Sequence, residues 1–325
     1  MLKNLLRYIY WWFLLGACAT ATNIPIRTQH TVSAVNTPVI TSNQFDTSLL
    51  TGKKPVSLLD LPVSEEGNII LSDGYYEADF KSYCLQPGTP DPSDRDAYLQ
   101  GPLTAYRKDI IETVLRHSLK KTNLEQRNIQ LLLWSIVSGS NYNKLSWQVQ
   151  STAQELLSSK QIFKLKGGVM GMVKTVSSYI PATGSAGAFN EMKQLFELGT
   201  SSYDAFEKVA VLHQPSEIKH PGYKKDQWYK QDDGYYLRYF PSGYQQVKIQ
   251  VYVPQGMVDT TSSKAGNYLL FDPVTMMAIP ANSNSQKLGI GAPAIDIIRK
   301  IIQINKDPGN IKKLPPTTKD PKTRT

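Results

Sequence analysis

Two cysteines and four histidines are the only thiol and imidazole groups in this 325-residue chain. The histidines, His30, His117, His213 and His220, are scattered, and no Cys/His spacing suits zinc. No phosphate-cradling glycine loop and no Gly-x-Ser-x-Gly elbow occurs. Asp232 and Asp233 stand side by side, but Gly234 follows them, and Asp-Gly is a turn signal. These absences argue against an enzyme and against a bound metal or cofactor. No apolar run reaches the roughly 20 residues that span a bilayer, and no internal repeat is present. Acidic residues are the scarcer charge, 27 against 36 basic, for a net charge of +9. That balance suits anionic partners such as acidic glycans, lipid headgroups or nucleic acid, and it governs association and not fold. With 41% hydrophobic and 19% charged residues, the composition is that of a globular body carrying polar segments.

The first residues, MLKNLLRYIYWWFLLGAC, hold two positive charges, an apolar core from Tyr8 to Leu15, and then Leu15-Gly16-Ala17-Cys18. This has the layout of an export leader. The last four residues resemble the lipobox of bacterial lipoproteins, in which the cysteine is lipidated and becomes the mature N-terminus. The resemblance makes 1–17 a lipoprotein signal peptide and Cys18 the lipid anchor. Ala19, where a retention signal would be acidic, favours the outer membrane, with the periplasmic or outward facing left open. Several acyl chains exceed the two signals that stable anchoring needs. No nucleic acid is expected as a partner of an exported chain.

The segment from Ala19 to about Pro62 is rich in Thr, Ser, Asn and Pro, and 18–66 reads as anchor and flexible tether. Strands are predicted at Asn68 to Leu71 and Gly74 to Cys84. In the second, Tyr76, Ala78, Phe80, Ser82 and Cys84 share one face, while Glu77, Asp79 and Lys81 take the other. Pro87 to Asp96 reads as a loop. Amphipathic helices follow at Thr104 to Lys120, Leu124 to Val137 (with a capping box from Thr122 to Glu125), Leu145 to Ser158, Phe189 to Leu198 and Tyr203 to Leu212. Between them Lys166 to Gly187 is glycine-rich and reads as a loop with one short helix. Tyr235 to Phe240 and Gln246 to Val253 make a hairpin, and Tyr268 to Phe271 with Met276 to Ile279 a second short pair. Isoleucines from Ile295 to Ile302 mark a closing helix, and 305–325 is a basic, proline-rich, disordered tail. The expected fold class is α+β, a helical layer packed on short antiparallel β-sheets. A strand-plus-helical domain is expected at 67–220 and a β-rich region at 221–304.

With Cys18 acylated, Cys84 has no internal disulfide partner, so it is buried and inert, paired with another chain, or chemically used. On the helix beginning at Leu124, Gln130 shares a face with Leu133, Trp134 and Val137. A core amide left unpaired costs about 1 to 3 kcal/mol, so it must bond a neighbouring backbone or be consumed in a bond. Tyr83-Cys84-Leu85 and Gln130-Leu131-Leu132-Leu133-Trp134 together resemble the thioester domains of bacterial surface adhesins. These carry an aromatic-Cys-apolar stretch on a strand and a helix with Gln four residues before Trp. The resemblance covers Gly74 to Val137. It implies Cys84 as thiol donor, Gln130 as acyl donor and Trp134 as a packing shield for an internal thioester that amines attack. Ile129 stands where that family has Thr, Leu132 where it has Ala, and the C-terminal wall-sorting signal of those adhesins does not occur here. Read from the residues alone, Cys84 is a small core hydrophobe and Gln130 a satisfied core amide.

The stretch from Tyr223 to Tyr239 interleaves aromatic and basic residues. Trp228, Tyr229, Tyr235, Tyr236 and Arg238 are its candidate ligand contacts, for glycan stacking. The leading expectation is a noncatalytic lipid-anchored scaffold or recognition lipoprotein of the cell envelope. Its partners would be the membrane through the anchor and an envelope protein or anionic glycan. The alternative is a covalent surface adhesin using a Cys84–Gln130 thioester. Both place a lipid on the eighteenth residue: labelled palmitate should enter the protein, and Cys18→Ser should abolish the label, whereas label retained in that variant would remove the anchor.

Overall fold

The computed structural model describes residues 50–105, 107–121, 123–167, 185–258 and 269–294. The leader, Cys18, most of the expected tether, the bulk of the glycine-rich segment, the closing helix and the basic tail lie outside the described residues. The described strands are β1 (Val56–Ser57), β2 (Ile69–Leu71), β3 (Gly74–Cys84), β4 (Thr89–Pro90), β5 (Tyr98–Pro102), β6 (Val211–Leu212), β7 (Tyr229–Lys230), β8 (Tyr236–Ser242), β9 (Gln246–Val253), β10 (Leu269–Phe271), β11 (Met276–Pro280) and β12 (Leu288–Pro293). The helices are α1 (Lys108–Ser118), α2 (Gln126–Val137), α3 (Trp147–Leu156), α4 (Ser159–Leu165), α5 (Ser185–Glu197) and α6 (Tyr203–Ala210). The fold is mixed α+β.

The principal sheet runs β5-β11-β12-β3-β9-β8-β7, antiparallel throughout, with β1 added in parallel to β3. Small two-stranded sheets join β10 to β2 and β4 to β6. The expectation of several short sheets is therefore corrected: most strands belong to one eight-stranded sheet. It curls, so that Tyr239 of β8 donates its hydroxyl to Gln100 Oε1 of β5 at 3.1 Å.

The two-residue period of β3 decides its faces as the sequence predicted. Register across β3, β9 and β8 sets three inward rows, Tyr76-Val251-Leu237, Ala78-Ile249-Tyr239 and Phe80-Val247-Pro241, all buried. Four outward rows alternate with them: Tyr75-Tyr252-Tyr236, Glu77-Gln250-Arg238, Asp79-Lys248-Phe240 and Lys81-Gln246-Ser242. A one-residue slip would exchange these two sets, so burial of the apolar rows fixes the register.

The division at residue 220 is also corrected. β3 lies between β9 and β12, so strands from both sides of that boundary form one core. The body also begins before residue 67. Val56 pairs with Tyr76, and Leu58 is wholly buried. β10 pairs with β2 and not with β11. Asp272 caps a short 3-10 turn over Pro273–Thr275, accepting from Val274 N–H at 3.2 Å, and this turn redirects the chain between the two strands.

The helices begin and end for local reasons. Arg107, with φ of 59° and ψ of 40°, stops α1 from extending back to Thr104. α2 starts at Gln126 and not Leu124, and the proposed cap residue Thr122 lies outside the described residues. At its other end Gly139 takes φ of 69°, a conformation that suits glycine, and Gly139 N–H closes onto Ile136 O at 3.1 Å. α4 carries the reciprocal Ser158/Gln161 capping box. α1 packs on β12 at two glycines: a Cβ on Gly289 would lie 3.1 Å from Leu115 Cδ1 of α1 and 2.9 Å from Leu85 Cδ1, and one on Gly291 would lie 3.4 Å from Ser118 Oγ of α1 and 2.6 Å from Tyr83 Cε2 of β3. Gly291→Ala should therefore over-pack this layer and lower stability by about 1–3 kcal/mol in urea unfolding; an unchanged midpoint would mean that Tyr83 yields freely.

Candidate functional site

β9 pairs with β3 only as far as Lys81 opposite Gln246. Beyond that point β12 still covers one edge of β3, with Leu288 opposite Cys84, but the other edge has no strand. Main-chain N–H and C=O groups buried there need partners. The chain supplies them from a helix. Gln126, Gln130 and Trp134 lie four residues apart on one face of α2 and meet the end of β3 in order. Gln126 Nε2 donates to Ser82 O at 3.1 Å and to Gln245 O at 2.7 Å. Gln130 does more: Cys84 N–H donates to its Oε1 at 2.9 Å, and its Nε2 donates back to Cys84 O at 3.0 Å. The amide thus binds one residue through both main-chain groups, as a neighbouring strand would.

Trp134, one turn on, brings its indole N–H against the Cys84 thiol. That N–H has no partner of hydrogen-bonding geometry, yet it lies close enough to favour the thiolate. Burial outweighs it. The thiol pKa is pushed up to about 12, chiefly by burial, with the Trp134 N–H and a contact with the Gln86 main chain opposing and the charge of Asp91 adding to the rise. Cys84 is therefore a neutral thiol at physiological pH, and it is 0% exposed, with Gln130 at 1% and Trp134 at 0%.

The three residues named from the sequence come together from two elements whose cysteine and glutamine are 46 positions apart. The acyl carbon of Gln130 lies between an oxygen and a nitrogen that are each bonded to the main chain of the residue carrying the thiol. Chemically this is a carboxamide hydrogen-bonded to the main chain of a cysteine in a dry core.

Behind Trp134 stands a polar layer that sequence reasoning missed. The rings of Tyr203 and Tyr244 lie 5.5 and 6.2 Å from that of Trp134. Tyr203 and Tyr244 share a hydrogen bond of 2.6 Å, Tyr244 also bonds the Glu207 carboxylate, and Gln245 Nε2 donates to the Tyr244 hydroxyl at 3.0 Å. Burial is the first cause that raises the Tyr244 pKa, and the Glu207 contact adds to it. Burial likewise pushes Tyr203 up to about 12. Asp91, whose main chain follows β4, sits beneath Gly243 and is also raised, first by burial. The helical spacing of Gln126 from Gln130 was a readable signal for that residue; nothing local marked the tyrosines, which arrive from the β8–β9 turn and α6.

The aromatic-basic stretch does not form the exposed platform expected of it. Trp228 and Tyr235 are buried, at 5% and 3% exposure. Tyr235 packs inward with its ring edge-on to Phe271 at 6.3 Å, whereas Trp228 covers the outward face. Arg238 is engaged by Gln250 Oε1 at 2.6 Å, by Asp226 O at 2.8 Å and by the Trp228 ring at 4.3 Å. Tyr229 bonds the Lys224 main chain, and Tyr236 lies half-buried beside Tyr252. An open groove of about 780 Å³ runs alongside, lined by Asp79, Ser93, Asp94, Phe240, Lys248 and Gln250 among others. Its charges are of both signs.

Among the described residues no group of three or more His, Cys, Asp or Glu side chains could hold a metal ion, and no helix is long and apolar enough to cross a membrane. Comparison with protein-family models, with curated proteins and with solved structures gives no match.

The double hydrogen bond at Cys84 makes a specific demand on residue 130. A glutamate there could accept from Cys84 N–H but, when ionised, could not donate to Cys84 O, and it would bring a charge into the core. Burial would raise its folded pKa above the unfolded value of about 4.3, so its neutral form is the one the fold favours. Gln130→Glu should be unstable at neutral pH and regain stability relative to the parent as pH falls toward about 4.3, the folded state then binding the extra proton. Urea midpoints across that range check this, and midpoints equal to the parent's at every pH would show that the amide is dispensable.

Proposed function

We propose that this chain is a lipid-anchored cell-envelope protein whose folded body carries an internal Cys84–Gln130 thioester and attaches covalently to amine-bearing targets. The observation that supports this most is the reciprocal pairing of the Gln130 amide with the main chain of Cys84, a buried free cysteine and the only one among the described residues. In forming the bond, Sγ attacks Cδ of Gln130, the C–N bond breaks, and ammonia leaves with the thiol proton. The new C–S bond closes a loop spanning 46 positions and, by analogy with disulfide loop entropy, stabilises the body by about 4 kcal/mol if unstrained. An amine then attacks the same carbon, an amide forms, and Cys84 departs and regains a proton. The apolar surroundings that hold Cys84 neutral also keep water from hydrolysing the acyl group in the resting state.

In this reading the helical layer supplies the acyl donor and the sheet supplies the sulfur. The anchor at Cys18 keeps the product of the reaction on the membrane, with the net charge of +7 that remains of +9 once Lys3 and Arg7 leave with the signal peptide drawing the chain to anionic surfaces.

A second reading, the noncatalytic scaffold or recognition lipoprotein, is favoured by one observation. Both ends of the Gln130 amide are already satisfied, so the pair is complete as a clasp between α2 and β3 without a covalent bond.

Intact mass of the full chain separates the two. The thioester reading expects a mass lower by one ammonia than the sequence and lipid require, and, after methylamine, a free thiol and a mass raised by one methylamine. Cys84→Ala and Gln130→Ala should each abolish both changes. An unmodified mass at the outset leaves the clasp and the scaffold.

A further inference from the structure

Nothing of the Cys84–Gln130 pair reaches solvent, so a target must displace something to arrive. The next layer on the Trp134 side is the pair Tyr203 and Tyr244, at 8% and 5% exposure, and the guanidinium of the exposed Arg127 lies 5.1 Å above the Tyr203 ring. Tyr203 and Glu207 are on α6, Tyr244 is in the β8–β9 turn, and Trp134 is on α2, so the layer joins three elements.

The hydrogen-bond directions in this layer are forced. An ionised carboxylate only accepts, so Tyr244 gives its one proton to Glu207. Tyr203 and Gln245 must then both donate to the Tyr244 oxygen. The charge of Glu207 orders the set, because hydrogen bonds to an ionised acceptor are the strong ones. Tyr244 is further pinned through its main chain, whose carbonyl accepts from Ser82 Oγ at 2.9 Å, two residues from Cys84.

We propose that Glu207 is a positioning residue: acting through Tyr244 and Tyr203, it holds Trp134 closed over the Cys84–Gln130 bond and sets how fast, and how large, an amine can reach it. The inference rests on the thioester reading. In the step it controls, the amine nitrogen attacks Gln130 Cδ, the C–S bond breaks, and the proton lost by the amine ends on Cys84 Sγ.

The test follows the full chain by intact mass during exposure to methylamine and, separately, to benzylamine, in the parent and in Glu207→Gln. The variant should retain the ammonia deficit, react with methylamine about tenfold faster, and gain more with benzylamine than with methylamine. Opening a gate relieves size exclusion, whereas exposure through whole-molecule unfolding would speed both amines alike. Equal rates in parent and variant, or equal acceleration of both amines, overturns the role of Glu207 while leaving the thioester standing. A parent with no ammonia deficit removes the thioester and this inference with it. Should Glu207→Gln fail to fold, Tyr203→Phe, which keeps the ring on Trp134 and loses only the hydroxyl, is judged by the same criteria.

Discussion

A helix side chain finishes a strand in this protein. β3 is bonded along its whole length, but by four different partners: β9 from Gly74 to Lys81, β1 at Tyr76 and Glu77, β12 from Phe80 to Cys84, and α2 through Gln126 and Gln130 where β9 has turned away. Without the last of these, the N–H and C=O of Cys84 would be buried and unpaired on one edge, at about 1–3 kcal/mol for each group. The position of α2 against the sheet, and with it the pairing of the Gln130 amide with the Cys84 main chain, follows from that requirement.

The same contact carries a tension between stability and chemistry. As a clasp, the amide needs its Nε2 to satisfy Cys84 O. As the acyl donor proposed above it would lose that nitrogen as ammonia, keeping only the oxygen that accepts from Cys84 N–H. The proposed thioester would therefore exchange one buried hydrogen bond for a covalent link and leave the Cys84 carbonyl short of a partner. The dry packing that raises the thiol pKa works in the same divided way. It disfavours the thiolate nucleophile, and in the proposed thioester it would shield the acylated sulfur from water.

Much of this could be read from the chain, and the reasons divide by range. The alternation in β3 and β9 reports a half-buried sheet, so both strands and their faces were legible, as were the cores of α1, α2, α3, α5 and α6 from their apolar spacing. Cys84 and Gln130 stood out because each is chemically costly where the pattern puts it. What escaped was non-local. β10 looked like the partner of β11 because the two are neighbours in sequence, while its mate β2 lies some two hundred positions earlier. Val56 to Leu59 sat in a stretch whose composition says linker, and only the unoccupied edge of β3 gives it a strand to join. Trp228, Tyr235 and Arg238 read as a binding surface because aromatic and basic residues alternate in both uses; burial and the bonds of Arg238 to Gln250 and Asp226 turn them to packing.

β1 has a mechanical consequence. Its pairing with β3 is parallel and only two residues long, Val56 to Tyr76 and Ser57 to Glu77. Tension applied from the N-terminal side of the body enters the sheet there, and a contact so short unzips before the long β3–β9 ladder is strained. A pull from that side therefore meets a two-residue contact and the buried Leu58 first, and the eight-pair β3–β9 ladder only after them.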